Sequence, residues 1–321
     1  CALRNDGTVW CWGDNGHGQL GDDGAPERHD APRRVPSLSK VVALASGAHH
    51  NCALLGDETV RCWGNNMFGQ VGVDPVDRMD IPQEVPGLSN VAMVGAGSSH
   101  SCALLRGGQV RCWGNNACGQ LGNGVEVSAF CLSRRGIFST EPQLVRGLEG
   151  VVSLAVGGTH NCALLQDGTV RCWGSNSTGS LGNGTTTSSG VPVVVPGVRG
   201  ARAIDAGGGH SCAVLDGGSL QCWGANGSGA VDGLGEGERI ANVLENCQLS
   251  PVPVPGITDV VRLSLGMGHS CALLGDGRVS CWGNIGVLAG PDGRVLGPIR
   301  PVPELSNVVA LGGGPMTQHH C

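Results

Sequence analysis

The sequence predicts an all-β propeller of four-stranded blades, on three observations. The tripeptide Cys-Trp-Gly recurs six times, with Trp at positions 12, 63, 113, 173, 223 and 282. A Cys-Ala-Leu or Cys-Ala-Val tripeptide starts ten residues before the cysteine of each, at Cys1, Cys52, Cys102, Cys162, Cys212 and Cys271. Short apolar runs bounded by Gly, Asn, Asp and Pro lie between these markers and read as strands. No window sustains the 3.6-residue period of a helix. The Trp-to-Trp intervals are 51, 50, 60, 50 and 59 residues, and units of this length with four strands and fixed Trp-Gly markers form the blades of a ring. Residues 1–321 are therefore expected to be one domain of six repeats.

The elements of a unit are clearest in the fourth copy, "VVSLAVGGTHNCALLQDGTVRCWGSNSTGSLGNG". Val-Val-x-Leu opens the first strand and Cys-Ala-Leu lies in the second. Asp167-Gly168 then marks a tight hairpin, since glycine takes the positive φ that such a turn requires. Gly7, Gly108, Gly218 and Gly277 occupy the same place, whereas the second copy has Glu58, which predicts a longer or strained turn. The third strand carries Val-x-Cys-Trp-Gly. A fourth precedes the Pro-Gly-Leu turn that leads into the next unit, as in "IPQEVPGLSNVAMV".

Composition narrows the function classes. The 57 glycines lack collagen's every-third spacing. Charged residues are 14% of the chain, too few for a charge-rich disordered protein. No apolar run reaches the ~18 residues of a membrane-crossing helix, so membrane insertion is not expected. The net charge is 20 − 26 = −6, and Lys40 is the single lysine. An acidic chain without a basic cluster is a poor phosphate binder, so no nucleic-acid partner is expected. The chain starts with Cys1 and ends at Cys321, which stands where a repeat cysteine would. These boundaries are expected to be those of a fragment of a longer chain.

Six cysteine pairs are ten residues apart: Cys1–Cys11, Cys52–Cys62, Cys102–Cys112, Cys162–Cys172, Cys212–Cys222 and Cys271–Cys281. If the hairpin has a three-residue turn, Leu165 faces Thr169 and Cys162 faces Cys172. Directly opposed residues have Cβ atoms ~4.5–5.5 Å apart, close to what a disulfide needs, so one cross-strand disulfide per blade is expected. Buried thiols acting as small apolar side chains are the alternative. Cys118 and Cys131 are expected to close a loop in the third copy, while Cys247 and Cys321 have no evident partner. Disulfides in this number imply an oxidising compartment, secreted or at the cell surface.

The pattern Gly-x-x-His-x-Cys-Ala-Leu, Asp-Gly, Val-x-Cys-Trp-Gly-x-Asn-x-x-Gly-Gln-Leu-Gly resembles the regulator of chromosome condensation repeat, in a cysteine-bearing form of bacterial type. The resemblance covers essentially the whole chain. It implies a seven-bladed propeller, of which six repeats are present here; a closed six-bladed ring is the alternative. For function it implies either protein binding, including inhibition of a secreted enzyme, or guanine-nucleotide exchange on a small GTPase, the activity of the family's founding member.

Several residue groups allow both a chemical and a structural role. His50, His100, His160, His210, His269 and His319 each stand two residues before a repeat cysteine, a spacing permissive for zinc on one strand face. They fall one per blade, however, so they are expected to bond backbone between blades. Asp6, Asp57, Asp167 and Asp276 are expected to form turns. The Gly182–Gly190 stretch lacks the lysine and helix of a phosphate loop, and no nucleophile elbow is present. The six repeat tryptophans read as spacers between sheets, not as a light-sensing cluster. No enzyme, cofactor or metal is expected.

What is specific should lie where the copies differ. The third copy gains about ten residues after its Gly-Gln-Leu-Gly segment, and the fifth gains a similar number. Both insertions should project from one face. The first holds Phe130, Arg134, Arg135 and Phe138, and Met67 with Phe68 occupies the equivalent loop of the second copy. Aromatic and Arg side chains anchor protein interfaces. These six residues are the candidate binding face for an unidentified protein partner, presented by a monomeric scaffold.

Overall fold

A computed structural model of the chain describes residues 1–321 except 24–26, 128–130, 132–135, 233–245, 285–295, 303–304 and 316–321. Six antiparallel sheets follow one another along it. Five have four strands in chain order; those of blade two are Val41–Ser46, His50–Leu55, Val60–Asn66 and Val76–Glu84. Among the described residues blade one has three strands, Ala2–Leu3, Val9–Asp14 and Arg28–Arg34. The first strands of successive four-stranded blades, from Val41–Ser46 through Val91–Ala96, Val151–Val156 and Ala201–Ala206 to Val260–Leu265, touch one another in turn. They therefore line a common axis, and the fold is a six-bladed β-propeller. The outer strands are sheet edges, and Pro32, Pro82, Pro142, Pro192 and Pro251 lie in them. A residue without an N–H blunts an edge that would otherwise template pairing with another chain.

The hairpin register is the one that opposes the cysteines. Leu165 N–H donates to Thr169 O and Gly168 N–H to Leu165 O, a three-residue turn that sets Cys162 opposite Cys172. Pairs alternate along an antiparallel ladder, so counting from Leu165–Thr169 puts the cysteines at a non-hydrogen-bonded pair, where backbones approach closest. Their Cα atoms are 4.1 Å apart. All six ten-apart pairs are bonded with Cα separations of 4.0 to 4.1 Å, and Cys118 is bonded to Cys131 at 4.8 Å. In blade two the turn keeps its length, with Leu55 N–H donating to Thr59 O, and Glu58 adopts φ 66°. It is strained, not longer.

Blades adhere through one repeated contact. Five core clusters each join the cysteine face of one blade to the tryptophan face of the next: Cys52, Leu54, Val60 and Cys62 pack with Ala103 and Trp113. Trp63, Trp113, Trp173, Trp223 and Trp282 are fully buried, whereas Trp12 of blade one is 40% exposed. Each buried indole N–H donates back to a backbone carbonyl of the preceding blade: Trp113 to Gln70 O at 2.9 Å, Trp173 to Gln120 O at 3.0 Å, Trp223 to Ser180 O at 2.9 Å. The same carbonyls take a second donor. Ser101 Oγ donates to Gln70 O and Asn161 Nδ2 to Gln120 O.

The histidines complete this seam. With its hydrogen committed to Gln70, Ser101 Oγ can only accept from His50, so Nε2 of His50 carries the proton and donates at 2.9 Å. His100 donates likewise to Asn161 Oδ1, His160 to Ser211 Oγ and His210 to Ser270 Oγ. The expected backbone partner is thus corrected to a side chain, because a Ser or Asn beside the next blade's histidine relays the bond to the carbonyl. Nδ1 of His50, His100 and His160 is buried without a partner. Glycine is required against that edge: a Cβ on Gly47 would lie 2.8 Å from His50 Nδ1 and 2.2 Å from Gly97 O. Nearer the axis, Ala48 N–H donates to Gly97 O, Ser98 to Gly158 O, Gly158 to Gly207 O and Gly208 to Gly266 O, a backbone belt from blade to blade.

Burial pushes His50, His160 and His210 down to about 3 and His100 to about 4, and neighbouring imidazoles push His50, His160 and His210 further the same way. The unfolded chain takes up these protons near pH 6.5 while the folded chain resists until pH 3 to 4. Stability therefore falls as pH drops from 6.5, by on the order of 1.4 kcal/mol per unit for each histidine. Asp205 opposes one of the four: burial pushes it up to about 7, although the amides of Ala206 and Leu265 donate to it. The turn aspartates have lowered values and matter only below about pH 4. Urea midpoints should fall steadily between pH 6.5 and 4; a flat profile over that range contradicts the buried, neutral histidines. Separately, Glu58→Gly should raise stability by about 0.5–1 kcal/mol despite losing the exposed Arg106 ion pair, and Gly168→Ala should lower it by about 1 kcal/mol or more, both read by thermal melting.

Candidate functional site

Antiparallel order sends alternate connections to opposite ends of a blade. The hairpins and the Pro-Gly-Leu turns lie at one end. The loops from first to second strand and from third to outer strand lie at the other, and the variable segments belong to the second of these. Each variable loop is built the same way at its start. Asn66 Oδ1 accepts from Val71 N–H at 2.9 Å, Asn116 from Leu121 at 3.0 Å, Asn176 from Leu181 at 2.9 Å and Asn226 from Val231 at 3.0 Å. Gln70 Nε2 donates to Asn65 Oδ1 while its Oε1 accepts from Phe68 N–H. Each loop then tucks against the next blade's outer strand. A Cβ on Gly18 would meet Asp80, one on Gly69 would meet Thr140, and one on Gly179 would meet Leu249. The loop face is continuous across these seams.

The candidate residues fall on this face where they are described. Met67 is 49% exposed and Phe138 41% exposed, and Phe68 is half-buried. Gly69, beside Phe68, presses on Thr140, two residues after Phe138, so the fold brings Met67, Phe68 and Phe138 to one seam between blades two and three. Phe130, Arg134 and Arg135 lie outside the described residues, as do residues 233–245 of the fifth-copy insertion. The third-copy insertion is tied down at its start and at Cys131. Cys131 is bonded to Cys118, its Sγ is 3.9 Å from Ser188 Oγ of blade four, and Gly124 N–H donates to Gly190 O at 3.0 Å.

Sequence reading missed other residues of the face. Val76 and Val125 are 44% and 40% exposed, and a single valine at a strand end or in a loop gives no signal of that. It also missed a repeat position held by His17, Phe68, Cys118, Thr178 and Ser228, which in blades one, four and five meets the next blade's first loop. Thr178 Oγ1 donates to Gly209 O and Ser228 Oγ to Gly268 O. At the first seam His17 meets His49, with ring centroids 4.7 Å apart, and Asn65 Nδ2 donates to His17 Nδ1 at 3.1 Å. Burial and then the His17 charge hold His49 below the usual imidazole range, while Asp14 pulls it up. Aligning the six copies position by position, instead of by their common residues, would have found this site.

The remaining candidates have structural roles. Asp6, Asp57 and Asp167 accept from the N–H and hydroxyl of Thr8, Thr59 and Thr169, and Asp276 accepts from Arg278 N–H. Among the described residues no three His, Cys, Asp or Glu side chains are grouped to hold a metal, and no helix is long and apolar enough to cross a membrane. Cys247 takes no part in the seven disulfides, and burial pushes its thiol up.

Comparison with known proteins agrees with this architecture. Human HERC6, a probable E3 ubiquitin-protein ligase, is 33% identical over 196 residues, which is 60% of this chain and 13% of that protein. Zebrafish RCC2 homolog is 39% identical over 72 residues, 22% of this chain and 14% of that protein. The chain thus spans a small part of these relatives. Among solved structures, Prp20p from Saccharomyces cerevisiae superposes with a TM-score of 0.73 at 26% identity, over 92% of this chain and 72% of that one. Human WBSCR16 superposes with a TM-score of 0.79 at 24% identity, over 97% and 80%. The regulator of chromosome condensation (RCC1) repeat profile matches residues 6–54, 57–104, 107–164 and 167–214, and a second profile of the same repeat reaches residue 284. With more than half of its length matched and the blade architecture present, the chain belongs to the RCC1 repeat family.

Proposed function

We propose that this propeller is a non-enzymatic protein-binding scaffold that presents its variable loop face to a protein partner. The observation that carries the reading is the gathering of Met67, Phe68 and Phe138 at one seam of that face, beside an insertion stapled by Cys118–Cys131. Exposed aromatic and Met side chains on a rigid support are what interfaces use as anchors. The structure of Prp20p was described together with its binding to Gsp1p and histones, and protein binding by a relative supports the same use here. The seven disulfides support a secreted or cell-surface setting.

The likeness to Prp20p also supports a second reading, a regulator that promotes nucleotide exchange on a small GTPase. A cytosolic GTPase and a disulfide-stapled ring belong to different redox compartments, so we favour the scaffold.

Two measurements test this. Met67→Lys combined with Phe138→Lys should abolish capture of partners from the native extracellular medium without lowering the melting temperature, while Val152→Lys at the other end of a blade should not; unchanged capture by the double variant would overturn the scaffold. Alkylation of the protein purified from its source, before and after reduction, should reveal at least fourteen additional reactive thiols, two for each of the seven bonds among the described residues. Thiols already reactive before reduction, together with accelerated release of fluorescent GDP from a small GTPase, would favour the exchange reading.

A further inference from the structure

Charge on the loop face is unevenly distributed. Residues 14–30 and 65–80, the variable loops of blades one and two with the strand ends that flank them, hold eight carboxylates and two arginines, a net charge of 2 − 8 = −6. The whole chain carries −6, so these two loops equal the entire excess. Residues 175–189, the loop of blade four, hold no charged side chain. Ion pairs occupy three of the eight, Asp22 with Arg33, Asp30 with Arg28 and Asp80 with Arg78. Asp23, Glu27, Asp74 and Asp77 are exposed. Arg134 and Arg135, in the loop of blade three, lie outside the described residues and are not placed.

The acidic stretch is continuous with the apolar anchors. The blade-one loop reaches blade two through Gly18 on Asp80 and through Asn65 on His17. Val76 pairs with Asn66, next to Met67, and lies between Asp74 and Asp77 in sequence. The blade-two loop in turn meets the outer strand of blade three at Thr140, two residues from Phe138. Exposed apolar side chains are thus bordered by uncompensated carboxylates on a surface fixed at two seams. Like charge repels an acidic partner from such a face, and opposite charge both steers encounter and sets register.

We propose that the loop face of blades one and two docks a cationic segment of a protein partner, one in which Lys or Arg flanks apolar side chains that seat on Met67, Val76 and Phe138. This rests on the scaffold reading and narrows it to one partner chemistry. The segment's positive charges lie over Asp74 and Asp77 on one side and over the blade-one loop on the other.

The test uses the intact disulfide-bonded protein and three fluorescent peptides, of repeating Arg-Leu-Ser, Glu-Leu-Ser and Arg-Gly-Ser triplets. Arg-Leu-Ser should bind, and should weaken by roughly tenfold between about 50 and 300 mM salt. Asp74→Lys with Asp77→Lys should weaken it by roughly tenfold at low salt, and Met67→Ser by several-fold at both salt concentrations. Glu149→Lys, in the turn at the opposite end, should leave it unchanged. Thermal melts of each variant confirm that the fold is kept, since all these side chains are exposed. Equal binding of Glu-Leu-Ser, equal binding of Arg-Gly-Ser, or insensitivity to the double reversal would each overturn the proposal. If Arg-Leu-Ser fails while Met67→Lys with Phe138→Lys still abolishes capture of the native partner, the scaffold stands and the cationic segment falls.

Discussion

The whole ring depends on one backbone carbonyl per blade, at Gln19, Gln70, Gln120, Ser180 and Ala230. Each accepts an indole N–H from the next blade's tryptophan and a second hydrogen from the Ser or Asn immediately before the next blade's first disulfide cysteine, at Asn51, Ser101, Asn161, Ser211 and Ser270. A carbonyl has two lone pairs, and both are used here, in a site from which water is excluded. Leaving either donor unpaired would cost on the order of 1–3 kcal/mol. The contact therefore fixes not only that blades touch but at which height and rotation they do. Because the acceptor is backbone, Ser and Ala serve at positions 180 and 230 as well as Gln does at the others.

That economy explains how the loops are free to differ. Each variable loop begins at this carbonyl, and everything before it is clamped by an Asn side chain and by the tryptophan of the next blade. An insertion a few residues further on disturbs no interblade bond. The disulfides act on another scale. Six of them each clip a hairpin within one blade and so stiffen that blade, whereas the carbonyl seam makes blades into a ring. On the chain-entropy account a loop of this size contributes about 3 kcal/mol. A chain with only 14% charged residues and no tyrosine thus gains stability from many small, repeated closures.

Most of the fold was legible because its determinants are local and repeated. The Asp-Gly turn sets the hairpin register, the register opposes the cysteines, and the Cys-Trp-Gly markers count the blades. Glu58 was recognisable as strained because its place in the turn demands a positive φ. The histidine partners were not legible, since Ser101 or Asn161 is 51 or 61 residues away from the imidazole it meets and only stacking one blade on the next reveals the pairing. The site was half legible. Phe138 and Met67 stood out by rarity of type, but Val76 and the His17–His49 contact depend on which loop leans on which strand, a property of the ring and not of any one repeat.

The seam position held by His17, Phe68, Cys118, Thr178 and Ser228 shows how one scaffold yields different surfaces. In blades four and five it is a hydroxyl that bonds the next blade's loop carbonyl, which closes the seam with the cheapest available group and leaves nothing to recognise. In blade three it is a cysteine whose disulfide tethers an insertion over the seam. In blades one and two it is an imidazole and a phenyl ring, larger than closure needs. At the equivalent position of blade two Phe68 is half-buried beside exposed Met67. This departure from the hydroxyl of blades four and five coincides with the acidic, apolar part of the face. The asymmetry of an otherwise repetitive molecule is therefore concentrated at the seams of blades one to three, where a partner would find the only surface that differs in kind from its neighbours among the described residues.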